Sequence, residues 1–196
     1  MGDAMSQLEL LSPGGPPPRA KKPRAPRKPK VASLAPAVVV AAALRPLLFL
    51  DFDGVVADAH PTKSAEERLR KRCVAILNTV VERTGCLVVV SSMWRFDPRT
   101  GRGFGGPQLE AWLKGAGFVG EVIGITPTLP GDGVRGLEIQ AWIDENGVET
   151  SRRFAIVDDW EPMGALTPRL VRTDYNAGIT AANADALVKL LGEKTR

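Results

Sequence analysis

Leu47-Leu48-Phe49-Leu50-Asp51-Phe52-Asp53-Gly54-Val55-Val56 is the stretch that decides the fold. Four apolar residues in a row spell a strand buried on both faces, as in the middle of a parallel sheet. The strand runs into two carboxylates one residue apart, then a glycine that lets the chain turn sharply. In an open α/β sheet, ligands bind in the crevice beyond the carboxyl ends of the strands. Two acids in that crevice can divide the work. One attacks a phosphorus centre, the other moves a proton, and both can hold a hard cation. The plain alternative is a helix cap beside a solvated acid.

Further strands and helices alternate along the chain. Ser64-Ala65-Glu66-Glu67 has the form of a capping box. Leu69, Cys73, Ile76, Leu77, Val80 and Val81 follow at helical spacing, which predicts one helix closed by Gly85. Leu87 to Val90 reads as a second buried strand ending at Ser91-Ser92. After a glycine-rich loop (Gly101 to Gly106) come a short helix from Leu109 to Lys114 and a strand from Glu121 to Ile125. The loop from Thr126 to Gly133 leads to a helix from Arg135 to Glu145. Phe154 to Val157 is a strand ending in Asp158-Asp159, Leu170 to Thr173 a fifth, and Thr180 caps a last helix to Leu191. Such alternation predicts a Rossmann-like three-layer α/β/α sandwich on a central parallel sheet.

Charge is distributed unevenly. The chain has 26 Lys+Arg against 22 Asp+Glu in 196 residues, a net +4. Seven of the basic residues lie between Arg19 and Lys30 with no acid among them, so the rest is close to neutral. Residues 1–44, rich in Pro, Ala, Lys and Arg, cannot bury enough apolar surface to offset their ordering entropy and are expected to be a disordered tail. The Arg19 to Lys30 segment reads either as a contact to nucleic-acid phosphates, weakened by salt, or as a solubilising linker. Residues 45–196 are expected to form one domain. Cys73 and Cys86 have neither zinc-site nor disulfide spacing and suit a reducing compartment. No apolar run is long enough to span a bilayer and the N-terminus lacks a secretory pattern, so a cytoplasmic location without membrane contact is expected.

Three predicted strand ends now carry polar residues: Asp51 and Asp53, Ser91 and Ser92, Asp158 and Asp159. With these motifs the sequence resembles the haloacid dehalogenase superfamily, the aspartate-nucleophile phosphatases, over roughly residues 46 to 192. Asp51-Phe52-Asp53-Gly54-Val55-Val56 is the most specific element. The resemblance implies Asp51 as the nucleophile forming an aspartyl-phosphate and Asp53 as the acid/base. It implies Ser91 as a phosphate-binding hydroxyl. Mg²⁺ would be held by Asp51, the backbone carbonyl of Asp53, Asp158 and Asp159. The family usually supplies a Lys before the acidic strand; here Arg135 is the best-placed cation, with a planar fork instead of a point charge, and Lys114 a fallback.

In detail the chain resembles the small capless members, including the domain associated with nucleic-acid repair proteins, through Ser91-Ser92-Met93-Trp94-Arg95, Arg135-Gly136-Leu137-Glu138-Ile139 and Asp158-Asp159-Trp160. The spacing between Asp53 and Ser91 leaves no room for a large cap. The implied activity is a Mg²⁺-dependent phosphohydrolase acting on phosphate monoesters, with nucleic-acid ends as one substrate class. A second class stays open: a non-catalytic nucleic-acid-binding protein on a degenerate domain. Trp94 and Arg95 can stack on a base and contact a phosphate, or Trp94 can pack against the loop from Phe96 to Phe104. Trp112 and Trp142 read as core, Trp160 as either a wall of the site or a packing residue, and His60 as a turn residue.

Overall fold

The computed structural model describes residues 45–58, 63–95, 104–131, 134–149, 151–160 and 163–194. Strand β1 (Leu47–Leu50) is followed by helices α1 (Ala65–Arg68) and α2 (Lys71–Thr84), then β2 (Leu87–Val90). Helix α3 (Gly106–Gly115), β3 (Val122–Ile125), α4 (Arg135–Glu145), β4 (Phe154–Asp158), β5 (Leu170–Arg172) and α5 (Ala181–Leu191) complete the series. The five strands form one parallel sheet in the order β3-β2-β1-β4-β5. With helices on both faces this is the Rossmann-like three-layer sandwich that the alternation predicts.

Strand alternation creates two cores. Leu48, Leu50, Val88, Val90, Ala155 and Val157 join a cluster with Val74, Leu77, Leu109, Leu113, Leu187 and Leu191 from α2, α3 and α5. Leu47, Phe49, Val89 and Ile156 point the other way, onto Ile139 and Trp142 of α4. Phe49 meets Trp142 and Phe154 edge-on at 5.6 and 5.9 Å between ring centroids. Such contacts add about 0.5–1.5 kcal/mol each to the area term. Because β1 is buried on both faces, every one of its residues is apolar.

The helix predicted from Ser64 to Gly85 is broken. Ser64 does cap α1 through a reciprocal capping box, but Leu69 and Arg70 are extended before α2 begins. The cause is pairing. Asp58 N–H donates to the Arg68 carbonyl (3.0 Å) and Arg70 N–H to that of Val56 (2.8 Å), so this segment bridges the turn after β1. Helical periodicity hid the break because Leu69 is buried either way.

Helix α4 is placed by Gly136. A Cβ there would lie 2.4 Å from the Met163 carbonyl oxygen, so the first turn of α4 rests directly on the backbone leading into a 3₁₀ turn (Gly164–Arg169). The described residues between β1 and β2, and between β2 and β3, form only short helices and turns, with no cap domain. No helix among them is long and apolar enough to cross a membrane.

Candidate active site

Register brings the polar strand ends together. Leu50 pairs with Val90 on one side and Val157 on the other, so Asp51 lies between Ser91 and Asp158. Asp51 N–H donates to the Val157 carbonyl (3.0 Å), and Ser91 N–H to that of Leu50 (2.8 Å). The alternation that turns Leu47 and Phe49 toward α4 carries Asp51 to the first residue of that helix. Arg135 Nη1 lies 3.2 Å from Asp51 Oδ1 and 3.6 Å from Asp158 Oδ2.

Asp51, Asp158 and Asp159 each offer a carboxylate oxygen, all within 4.8 Å of one another. Gly54 makes the third approach feasible. Its φ of +69° turns the chain, and a Cβ there would sit 2.7 Å from the Asp159 carboxyl carbon. Thr173 Oγ1 donates to the Gly54 carbonyl (2.7 Å) and fixes that turn from the β5 side.

The donor set fits a cation. Asp158 Oδ1 accepts from Trp160 N–H (2.9 Å), whereas Oδ2 is buried without a hydrogen-bond partner; the 3.6 Å to Arg135 exceeds hydrogen-bond range. Burial raises the pKa of Asp51 to about 6, opposed chiefly by Arg135. Asp158 is raised to about 8, by burial first and by Asp51 second. Asp159 is also raised by burial. Burial opposes the charge on Arg135, but Asp51 and Asp158 outweigh it and raise its pKa. Clustered acids that resist ionising alone are stabilised by a cation held among them.

Asp53 is placed differently. Its Oδ1 accepts from Arg68 Nη2 at 2.5 Å, outside the three-carboxylate cluster. Arg68 also donates to the Asp58 carbonyl (2.7 Å) and stacks 4.5 Å over the Trp94 ring. Any metal contact by Asp53 would therefore go through its backbone carbonyl. Of the two serines, Ser92 is the one whose hydroxyl helps hold the Asp51 pKa down, while Ser91 Oγ lies 3.5 Å from Thr126 Oγ1. Lys114 pairs with Glu110 on α3 at 2.8 Å, so the fallback cation is already engaged.

Arg95 is not a phosphate ligand in this arrangement. It is 3% exposed and pairs with Glu138, itself 4% exposed, at 2.5 Å. It also donates to the Ser92 carbonyl (2.8 Å), and Glu138 accepts from Leu129 N–H (3.1 Å). Trp94 packs against Phe52 and Trp112 at 5.0 and 5.9 Å; residues 96–103 of the loop expected to receive it lie outside the described residues. Removing one partner of a buried ion pair costs about 3–5 kcal/mol, so the pair firmly joins α4 to the loop behind Ser92. Sequence reading missed both Arg68 and Glu138. Glu138 left a signal: with Arg135, Ile139 and Trp142 it lies on one helical stripe facing the sheet, and an acid there needs a cation.

The architecture and these motifs agree with one comparison. The family model described as the HAD domain in Swiss Army Knife RNA repair proteins matches residues 47–184. The chain belongs to this family. No curated protein and no solved structure matches it. As a HAD domain it falls, coarsely, among phosphatase-type hydrolases, and its acidic cluster can bind a metal ion. His60 and the Arg19 to Lys30 segment lie outside the described residues.

Proposed function

We propose that the chain is a Mg²⁺-dependent phosphohydrolase that cleaves phosphate monoesters, with nucleic-acid ends as its substrates, through an aspartyl-phosphate intermediate. The observation that carries this reading is the convergence of Asp51, Asp158, Asp159 and Arg135 from the ends of β1, β4 and α4. The nucleic-acid assignment is supported by the RNA-repair proteins in the family's description. It is supported also by the absence of a cap over the crevice among the described residues.

An Asp51 oxygen attacks phosphorus as the bond to the leaving oxygen breaks, and Asp53 gives that oxygen its proton. Asp53 then takes a proton from water; the water oxygen attacks phosphorus, the acyl-phosphate P–O bond breaks to restore the Asp51 carboxylate, and inorganic phosphate leaves. Arg68 orients Asp53 throughout. Arg135 and the Ser91 and Ser92 hydroxyls bind phosphoryl oxygens. Asp51, Asp158, Asp159 and the Asp53 carbonyl would hold Mg²⁺, an ion that prefers oxygen ligands and supplies positive charge beside the phosphoryl group. Residues 45–196 form the catalytic domain in this reading, and the cations from Arg19 to Lys30 add a sequence-independent contact to phosphates.

The test is a panel of phosphorylated oligonucleotides, nucleotides, sugars and phosphopeptides assayed with Mg²⁺. Release of phosphate from the oligonucleotides at the highest kcat/KM is expected. Inactivity on the whole panel, together with polynucleotide binding lost on deleting residues 19–30, would establish the non-catalytic alternative instead.

Metal loading is linked to protons. Unfolded Asp titrates near about 3.9, whereas folded Asp51 and Asp158 titrate near 6 and 8. Between those limits the metal-free folded state binds more protons than the unfolded one, so these groups lower stability as pH rises. The three carboxylates would give up these protons on holding Mg²⁺. The rise in thermal midpoint on adding Mg²⁺ is therefore expected to be larger at pH 8 than at pH 5. An equal rise at both pH values would separate the cluster from metal binding.

A further inference from the structure

We infer that the cleft beside Arg135, walled by Trp160 and Met93, is a subsite for one unstacked nucleobase of the substrate, an inference that rests on the phosphatase reading above. The cleft has a volume of about 280 Å³ and is lined by Met93, Leu129, Val134, Arg135, Glu138 and Trp160. Arg135 belongs to both places. Its guanidinium lies 3.2 Å from Asp51 and 3.6 Å from Asp158, and the same side chain lines the cleft. A phosphate seated at Asp51 thus has the cleft next to it.

Exposure points to a missing partner. Six large apolar side chains are exposed among the described residues, and two of them, Met93 (58%) and Trp160 (57%), line this one cleft. The backbone of Trp160 is tied to the carboxylates, because its N–H donates to Asp158 Oδ1 at 2.9 Å. An exposed indole anchored at its backbone beside a phosphate site offers a stacking face for a flat ring.

Charge selects the kind of ring system. Arg135 faces Asp51 and Asp158, and Glu138 is paired with Arg95 and accepts from Leu129 N–H. The charges lining the cleft are therefore already matched, and a further phosphate would find no uncommitted cation among them. A neutral, polarisable heterocycle suits the cleft better. The volume lies near the lower end of ligand pockets, about 300–1,000 Å³, which fits one ring system more than an extended chain. No cap lies over the crevice among the described residues, so the base can belong to a mononucleotide or to the end of a strand.

The experiment compares matched esters with the full-length protein and Mg²⁺: a nucleoside monophosphate against ribose phosphate, and an end-phosphorylated single strand against the same strand with an abasic terminal residue. In the wild type the base-bearing ester of each pair is expected to have kcat/KM about ten- to hundredfold higher, the range that one stacked base supplies. Trp160→Ala is expected to bring that ratio close to one through KM, and Trp160→Phe to keep most of it. A preference in the strand pair alone assigns the base to a polymer end; a preference in both admits free nucleotides. If Trp160→Ala lowers both members of each pair equally, Trp160 is merely structural and the inference falls. It falls also if only phosphotyrosine peptides depend on Trp160, since the occupant is then a peptide side chain. Titrating a nucleoside monophosphate while following indole emission separates the two readings. Quenching that disappears in Trp160→Phe, in a protein without hydrolysis, upholds the base site and sinks the phosphatase. Hydrolysis without such quenching does the reverse.

Discussion

Replacing Asp51 by Asn is expected to lower kcat on an aryl phosphate by about four orders of magnitude or more, without unfolding the protein. An amide cannot form the acyl phosphate, and loss of a covalent nucleophile ranks among the largest single effects known in enzymes. The fold has no reason to fail. Asp51 titrates near 6 because burial outweighs Arg135 and Ser92, so its ionised form is less welcome in the folded protein than in water. A neutral, isosteric side chain removes that burden. The thermal midpoint of metal-free Asp51→Asn at pH 7 should therefore match or exceed that of the wild type. Initial rates and calorimetry on the same preparations check both halves, and activity within tenfold of wild type would exclude Asp51 as the nucleophile.

Arg135→Met should cost about 10²–10³ in kcat, the usual effect of removing one preorganised donor from a developing negative charge. Arg135→Lys should stay closer to wild type, since it keeps the charge and loses only the fork. The pH–rate profile gives an independent reading. Arg135 is the strongest influence holding the Asp51 pKa down against burial. Without it the Asp51 pKa rises, a smaller fraction is ionised at any pH near neutrality, and the acid limb moves to higher pH. A Met variant with an unshifted acid limb would show that the 3.2 Å contact does not govern the nucleophile.

Much of this site was legible because it is written at strand ends. A four-residue apolar run fixes a buried strand, and the acids that follow β1 and β4 are carried into one crevice by parallel pairing alone. Arg135 was legible through resemblance: a cation opening the helix before the acidic strand. What stayed hidden depends on pairings that no local pattern encodes. Ser91 and Ser92 differ by one step, and which hydroxyl reaches Asp51 depends on how the chain turns after β2. Arg95 carried a charge that looked available, but its buried partner lies 43 positions further along the chain. The interruption at Leu69-Arg70 follows from hydrogen bonds to Val56 and Asp58, which helical periodicity cannot foresee.

The contact between Gly136 and Met163 has a practical corollary. Arg135 is aimed by main chain lying on main chain, with no side chain between to be trimmed or exchanged. Mutational surveys that treat alanine as the neutral replacement, and pass over glycines for that reason, would miss a position where a single added methyl meets rigid main chain. Any redesign of this helix has its whole outer face to vary, but its seat admits only hydrogen.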